Sequence, residues 1–323
     1  MPRAHTGLPR ATSVSLSKNT LLEQLSQVDG TEIQRNRVLS LETSFRQKIA
    51  ACIASLPTNR SSLSEFGTSP FVLLIHAFQR TYTKISEIER DILPAKQFSS
   101  METSAGRMVE KVVMPVYRWV PVESEMHTCY SSIDGKQKHG SILKLATLKS
   151  GPHCLNDEMS ENFADAIVNN HREWASNDQV NTLDFTYGVL YGTKKQSNKK
   201  DWHILRKIRD KIPANITVDP ANRWDCAFTE NDVRVSVTIR IGLDWWRYLG
   251  GEYCFVEVLS ALIRACITPG TADNNTHRYS IDDLGSIVSL QQVPAEYNVS
   301  LLQRSQLPWL FLMARHFCDT LVE

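Results

Sequence analysis

The sequence lacks an excess of charge of either sign, since 36 Lys and Arg residues face 35 Asp and Glu residues and leave a formal net charge of +1. This balance excludes a uniformly basic protein that coats nucleic acid. The chain also lacks any window approaching the roughly 20 consecutive apolar residues of a transmembrane helix. Its first ten residues contain no apolar core of a signal peptide. We therefore expect a soluble, cytoplasmic protein with no membrane partner.

Paired cysteines are absent as well. The seven cysteines stand singly along the chain, without a Cys-x-x-Cys pair and without a Cys/His set at the spacing of zinc ligands. An odd, scattered set of this kind is typical of reduced residues that pack in the interior. A disulfide framework and a zinc site are therefore excluded from the candidate functions.

Apolar residues, by contrast, are plentiful: they make up 42% of 323 residues, enough for a sizeable core. Wholesale disorder is thereby excluded. Composition and periodicity divide the chain into four predicted segments. These are a flexible Ser-, Thr-, Arg- and Pro-rich tail (1–18), a helical N-terminal region (19–98), a mixed α/β core (99–268) and a helical C-terminal extension (269–323).

Helical periodicity begins after Leu41, where apolar residues recur at intervals of three and four. Ser69 followed by Pro70 is typical of a helix start, and we expect that helix to continue toward Ile92. Pro94 is expected to close the helical region.

The core is predicted to begin with a helix over Ser99–Met114 that Pro115 stops. Two neighbouring antiparallel strands follow, Trp119–Tyr130 and Ser141–Leu148, with Asp134-Gly135 in the turn between them. Later predicted elements are a helix capped by Asn156, strands Leu183–Tyr191 and Arg234–Ile241, helix Trp202–Ile212, a helix Leu243–Ile267 kinked near Gly250-Gly251, and a mainly helical end with breaks at Pro294 and Pro308. Helices packed on a central mixed sheet are the predicted architecture.

The most informative residue for chemistry is Lys149, which ends an apolar strand just before Ser150-Gly-Pro152. Its ammonium is expected at the edge of the sheet, where a cation orients water or neutralises a phosphate. A lysine that ends a strand is usually a solvated terminus, so Lys149 alone does not define a function.

Three local sequences surround this lysine in a characteristic order. They are Ser104-Ala-Gly-Arg-Met-Val-Glu110-Lys, Leu148-Lys-Ser-Gly-Pro with Asn156-Asp157, and Tyr187-Gly-Val-Leu-Tyr-Gly192 followed by Trp202-His-Ile-Leu-Arg206. Their order and spacing resemble the PD-(D/E)xK superfamily and, within it, the type II restriction endonucleases that cut short interrupted palindromes. The resemblance runs from about residue 99 to residue 266, roughly half the chain. It implies a restriction-endonuclease-like core and a place in a restriction-modification system.

The resemblance also implies a Mg²⁺-dependent site. In that superfamily two acidic groups and one backbone carbonyl hold the metal, and a lysine positions the attacking water. Lys149 corresponds to the lysine, Leu148 to the residue that supplies the carbonyl, and Asp134 is the first candidate for the leading aspartate. A plain turn aspartate before glycine remains the alternative for Asp134.

The chain departs from the superfamily at two positions. Thr147 stands where the second acid is expected, and Ile133 stands where the proline before the leading aspartate is expected. The missing acid has several replacement candidates, among which the sequence does not choose. They are Glu125 and Glu123 on one strand face, with His127 a weaker candidate there, and Asp157, Glu158 and Glu161 at the start of the next helix. Solvated surface charges are the alternative for all of them.

Glu110 is a further candidate, because restriction enzymes often place a helical glutamate behind the metal site. The alternative is a surface helix charge that pairs with Arg107, three residues before it.

DNA contact is predicted for the loop that starts at Gly192 and the helix after it. Residues 194–211 carry eight basic residues against two acidic ones, a local excess of six in a nearly neutral chain. Clustered cations bind phosphates, and amides read base edges. The predicted DNA-binding residues are Lys194, Lys195, Asn198, Lys199, Lys200 and Arg206. A solvated loop is the alternative.

Together these expectations describe a Mg²⁺-dependent type II site-specific deoxyribonuclease that cuts double-stranded DNA as a homodimer, since two-fold symmetry matches a palindrome. One alternative is a protein of the same fold that binds DNA without cleaving it. A more distant one is a helical regulatory protein.

Overall fold

In the computed structural model, residues 8–58, 69–122, 129–267, 297 and 300–323 are described. Within these ranges the α-helices are α1 (Lys18–Gln27), α2 (Glu32–Ala54), α3 (Pro70–Arg80), α4 (Ile85–Met108), α5 (Met114–Val116), α6 (Asp157–Asn177), α7 (Lys200–Lys211), α8 (Leu243–Gly250), α9 (Cys254–Ile267) and α10 (Leu301–Ala314). A π-helical turn, Val109–Val113, joins α4 to α5, and a 3-10 turn, Pro213–Asn215, follows α7. No helix in the described ranges has the length and hydropathy required to cross a bilayer.

The strands build a central mixed sheet of seven strands and a small parallel pair. They are β1 (Ser15–Ser17), β2 (Val120–Pro121), β3 (Gly135–His139), β4 (Ile142–Lys149), β5 (Thr182–Val189), β6 (Ile216–Val218), β7 (Asp225–Glu230), β8 (Val233–Ile241) and β9 (Thr320–Val322). The order in the central sheet is β2-β3-β4-β5-β8-β7-β6, and β1 pairs with β9. The middle strands β4, β5 and β8 are parallel, and the flanking strands are antiparallel.

Side chains on the two faces of β4 pack against different helices, so the sheet is the middle of three layers. Leu143 and Leu145 face one side, where they pack with residues of α6 and α7. Ala146 and Leu148 face the other side, where they join a core built from α1, α2, α8, α9 and α10. The protein is thus an α/β structure whose mixed sheet lies between two layers of helices, as the sequence predicts at this level.

Several predicted boundaries in the N-terminal third are wrong. The helix that starts at Pro70 ends at Arg80, because Thr81 adopts a left-handed conformation with φ 55°. Its successor α4 then runs through Pro94 and across the predicted boundary between residues 98 and 99. Instead of a wholly flexible tail over residues 1–18, Ser15–Ser17 form a strand paired with Thr320–Val322.

The predicted turn at Asp134-Gly135 is also wrong. Gly135 pairs with Ala146 as the first residue of β3, and the tight turn lies at Gly140-Ser141, where Gly140 has φ 57°. Only Val120–Pro121 of the predicted strand Trp119–Tyr130 is a strand in the described residues.

Elements later in the chain follow the prediction closely, with two exceptions. Strands β4, β5 and β8, helices α6 and α7, and the division of the late helix into α8 and α9 all lie where the sequence predicts them. Strands β6 and β7 were not predicted, and Pro308 lies inside α10 rather than at a break. Pro294 lies outside the described residues.

Candidate active site

Asp134 lies beside the C-terminal end of β4, just before β3 begins. Its backbone N–H donates to the carbonyl of Ala146, and its Oδ2 accepts a 2.6 Å hydrogen bond from the backbone N–H of Leu148. The N–H of Leu148 points to the side of β4 on which β3 lies, but β3 does not extend as far as Leu148. The Asp134 carboxylate therefore accepts the hydrogen bond that a backbone carbonyl of a neighbouring strand would otherwise accept. In a strand the N–H and C=O of one residue point to the same side. The Leu148 carbonyl is therefore directed to the same edge as the Asp134 carboxylate.

Thr147, the residue at the position of the missing acid, is 2% exposed. Its hydroxyl donates a 3.1 Å hydrogen bond to Oδ2 of Asp134. Oδ2 is thus held by two donors on β4, one from the backbone and one from a side chain. Thr147 therefore orients the aspartate rather than supplying a second carboxylate.

Lys149 lies two residues beyond Thr147, on the same face of β4. Its ammonium lies 5.5 Å from the centroid of the Phe163 ring of α6. Within the described ranges no carboxylate lies within 4 Å of this ammonium. Lys149 is thus a half-buried cation beside Asp134, without an ion-pair partner among those residues.

Two aromatic rings, Phe163 and Tyr187, pack beside Lys149. The sequence analysis did not assign either ring to the site. Tyr187 of β5 pairs in register with Thr147, is 1% exposed, and packs edge-to-face on Phe163 at a centroid distance of 5.5 Å. Burial raises the pKa of the Tyr187 phenol, so it stays neutral. The alternation Leu183, Phe185, Tyr187 along β5 was the available sequence signal.

Glu110 reaches the same region from the π-helical turn between α4 and α5. Burial raises the pKa of its carboxyl, the charge of Asp134 raises it further, and the charge of Lys149 lowers it. Glu110 thus lies within electrostatic range of both strand residues, and the charges of Arg107 and Lys111 lower its pKa as well. π-Helical turns are rare in proteins overall, but those that occur are often found at functional sites.

The donors available here fit a hard divalent cation. Among the described residues no group of three or more His, Cys, Asp and Glu side chains is arranged so that it could hold a metal ion. Mg²⁺, however, keeps several waters and binds through one or two carboxylates and substrate phosphates. The carboxylates of Asp134 and Glu110 and the Leu148 carbonyl are oxygen donors of the kind that Mg²⁺ prefers.

Among the other candidates for the missing acid, those that the structure describes do not join this group. Glu123, Glu125 and His127 lie outside the described residues. Asp157 pairs with Lys200 at 2.6 Å, and this lysine lowers the pKa of the Asp157 carboxyl. Two candidates remain. Glu161 forms ion pairs with Lys207 and Lys211 of α7, and Glu158 is exposed in the first turn of α6.

The basic residues 194–211 are largely engaged with acidic partners. Lys194 pairs with Asp244 at 2.7 Å, and Lys200 pairs with Asp157. Further pairs join Lys207 to Glu161, Arg209 to Asp210 and Asp219, and Lys211 to Glu161 and Asp165. The local excess of six positive charges in the sequence is therefore offset by acids from neighbouring elements.

Lys199 and Asn198 organise the loop itself. The Lys199 ammonium donates to the carbonyls of Lys194 and Ser197 at 2.6 and 2.7 Å, and burial lowers its pKa. The Asn198 side chain donates to the carbonyl of Leu155 and accepts from the N–H of Lys200. Of the predicted DNA-binding residues, Lys195 and Arg206 are exposed cations, and Arg206 lies over the ring of Trp202.

Comparison of the chain with models of known protein families finds no match, and comparison with curated proteins finds none either.

Proposed function

We propose that the chain is a type II restriction endonuclease that hydrolyses phosphodiester bonds of double-stranded DNA at a short palindromic site, with Mg²⁺ and as a homodimer. The observation that carries the proposal is the group at the end of β4. There the Asp134 carboxylate is fixed against Leu148, and the Lys149 ammonium, one residue further, has no ion-pair partner in the part of the chain that the structure describes. The sequence resemblance supports the same proposal, and so does the order of elements in the core, in which a helix, a hairpin, a helix and a parallel strand follow one another.

Each residue of the group has a chemical task in this proposal. Asp134, Glu110 and the Leu148 carbonyl would hold Mg²⁺, which when bound polarises the scissile phosphate and acidifies a bound water. Thr147 keeps Asp134 oriented through its hydroxyl. Because the Asp134 carboxylate is fixed before substrate arrives, little reorganisation is required at the moment of reaction.

Lys149 acts on the nucleophile and on the charge of the phosphate. Its ammonium donates to a water beside the phosphate and neutralises part of the negative charge that develops there. Phe163 shields one side of the ammonium from solvent, which strengthens its interaction with an anion.

A protein that binds DNA without cleaving it is the second candidate. One observation favours it: Thr147 occupies the position of an acid, and Thr147 is already committed to Asp134. Such a chain would keep the fold and lose part of the metal site.

Incubation with bacteriophage DNA and Mg²⁺ tests the proposal. The wild type is expected to give discrete fragments, and Lys149→Met and Asp134→Asn to give none, with a loss on the order of 100-fold or more for each. Lys144→Met is the matched control, because Lys144 lies on the same strand but packs against Tyr248. It should cleave as the wild type does.

Three results would contradict the proposal or the role that it gives to Lys149. DNA binding without cleavage in the presence of any divalent ion would favour the second candidate. Cleavage by Lys149→Met at the wild-type rate would remove the lysine from the reaction, and the absence of DNA binding would exclude both candidates.

A further inference from the structure

Helix α3 presents a broad apolar surface to solvent. Five of its side chains are exposed to an extent unusual for large hydrophobic residues: Phe71 (75%), Val72 (56%), Leu74 (71%), Ile75 (67%) and Phe78 (87%). At 100° per residue they cover an arc of about 160°, wider than the ~100° stripe by which a helix normally packs on a core. We call these five residues the α3 stripe.

The opposite face of α3 is already used. Leu73, His76 and Ala77 are partly buried, and the His76 ring packs edge-to-face on Tyr82 at 5.5 Å. The His76 Nε2 also lies 3.9 Å from a carboxylate oxygen of Asp91 in α4. The α3 stripe therefore points away from α4, and no residue of α3 is buried.

A helix in this situation needs a partner. Helices shorter than about 12–15 residues are marginal in water without packing, and the contact of the 11-residue α3 with α4 buries none of its residues. Aromatic side chains bury roughly 150–250 Å² each, so the α3 stripe offers on the order of 600 Å² of apolar surface. That is at the upper end of the largest patch of a typical monomer, roughly 300–600 Å².

We propose that the α3 stripe is a dimerisation surface and that its occupant is the α3 stripe of a second copy of this chain. A stable interface buries about 800 Å² per partner, and the α3 stripe supplies most of that area. The α3 stripe itself carries no charged side chain, so two copies can face each other without like-charge repulsion. A two-fold axis brings identical patches of this kind together.

This inference stands on exposed apolar area and does not require that the chain cleaves DNA. It names the place where the homodimer of the proposed nuclease would form. Sedimentation needs neither DNA nor metal, so failure of the dimer and failure of the nuclease are distinguishable.

Sedimentation equilibrium of the full chain between about 1 and 50 μM tests it. The wild type should sediment with twice the mass of one chain. The double variant Leu74→Asp, Phe78→Asp should be monomeric, with a dissociation constant raised by about 100-fold or more, because it places charges at the centre of the interface. Ile33→Asp is the matched control: Ile33 is 72% exposed on α2 and should leave the dimer intact.

Amide hydrogen exchange supplies a second measurement that does not rely on the variants alone. Residues 70–80 should exchange slowly in the wild type above its dissociation constant, and fast in the double variant at every concentration. A dimer that persists in the double variant would overturn the assignment. A monomeric wild type with slow exchange in α3 would assign the α3 stripe to another segment of the same chain, and would also overturn it.

Discussion

The pKa of Glu110 responds to the other charged residues of the candidate site. Burial raises the pKa of its carboxyl, the neighbouring Asp134 raises it further, and Lys149 opposes both. The folded chain therefore holds this proton more tightly than the unfolded chain. Between the ordinary and the raised pKa of Glu110, its contribution to stability falls as the pH rises. Metal binding should change in the opposite direction, since only the carboxylate is a ligand.

Carboxyl-carbon NMR titration checks this at the level of the residue. Glu110 should titrate above the ordinary range of a glutamate. Asp134→Asn should lower the pKa of Glu110, because a repelling negative charge is lost, and Lys149→Met should raise it further. Cleavage by the wild type should accordingly decline as the pH falls through the raised pKa.

Asp178→Asn serves as the control for that titration, because Asp178 pairs with Lys136 at 2.8 Å. It should leave the pKa of Glu110 unchanged. An unchanged pKa in both Asp134→Asn and Lys149→Met would place Glu110 outside the electrostatic reach of the two residues.

The positions of single site residues were predictable where the backbone period decides them. Lys149 and Thr147 share a strand face because β4 is extended, and alternation predicts this from sequence. The contact of Asp134 with the Leu148 N–H was not predictable, since it depends on where β3 ends. The ion pairs of residues 194–211 were also hidden, because their acids come from α6, α8 and other parts of the chain.

Among the elements, the position of β5 beneath α8 depends on one glycine. A Cβ added to Gly188 would lie 2.7 Å from Cε3 of Trp245 and 2.9 Å from Cδ2 of Leu148. Trp245 is fully buried, and Leu148 carries the carbonyl at the site. The absence of a side chain at residue 188 thus lets α8 pack closely on the strands that position Asp134 and Lys149.

Gly188→Ala should therefore lower the free energy of unfolding by about 1–3 kcal/mol, the usual cost of overpacking a core. Urea denaturation measures this change. Gly106→Ala is the matched control, because a Cβ at Gly106 in α4 meets no atom within 4 Å. Alanine in a helix interior should stabilise that variant by roughly 0.5–1 kcal/mol. Equal stability of Gly188→Ala and wild type would show that α8 can shift without cost.

Element prediction succeeded where the pattern was strong and local. Strands β4, β5 and β8 are apolar or alternating, and α7 ends before Pro213 as expected. It failed where pairing partners decide the outcome. Gly135 reads as a turn residue but pairs with Ala146, and β7 is defined by its ladder with β8. Pro94 and Pro308 lie inside helices rather than at the breaks that their local preference predicts.

At the scale of the whole molecule, charge is balanced both in total and in space. The net charge is +1, and most cations of residues 194–211 face an acid or a backbone carbonyl. Cations held in this way release few counterions on binding DNA unless the pairs break. The balance restricts non-specific attraction to DNA and leaves Lys195 and Arg206 as the exposed cations of the predicted DNA-binding set.

The salt dependence of DNA affinity distinguishes these two kinds of cation. Lys195→Gln and Arg206→Gln should each flatten the slope of log K against log salt by about 0.9, the value for one lost phosphate contact. Lys199→Gln should leave the slope within error and instead lower stability, because its ammonium caps the carbonyls of Lys194 and Ser197. If all three variants keep the slope of the wild type, neither this loop nor Arg206 of α7 belongs to the DNA interface. A smaller slope for Lys199→Gln alone would mean that DNA draws its ammonium out of the loop.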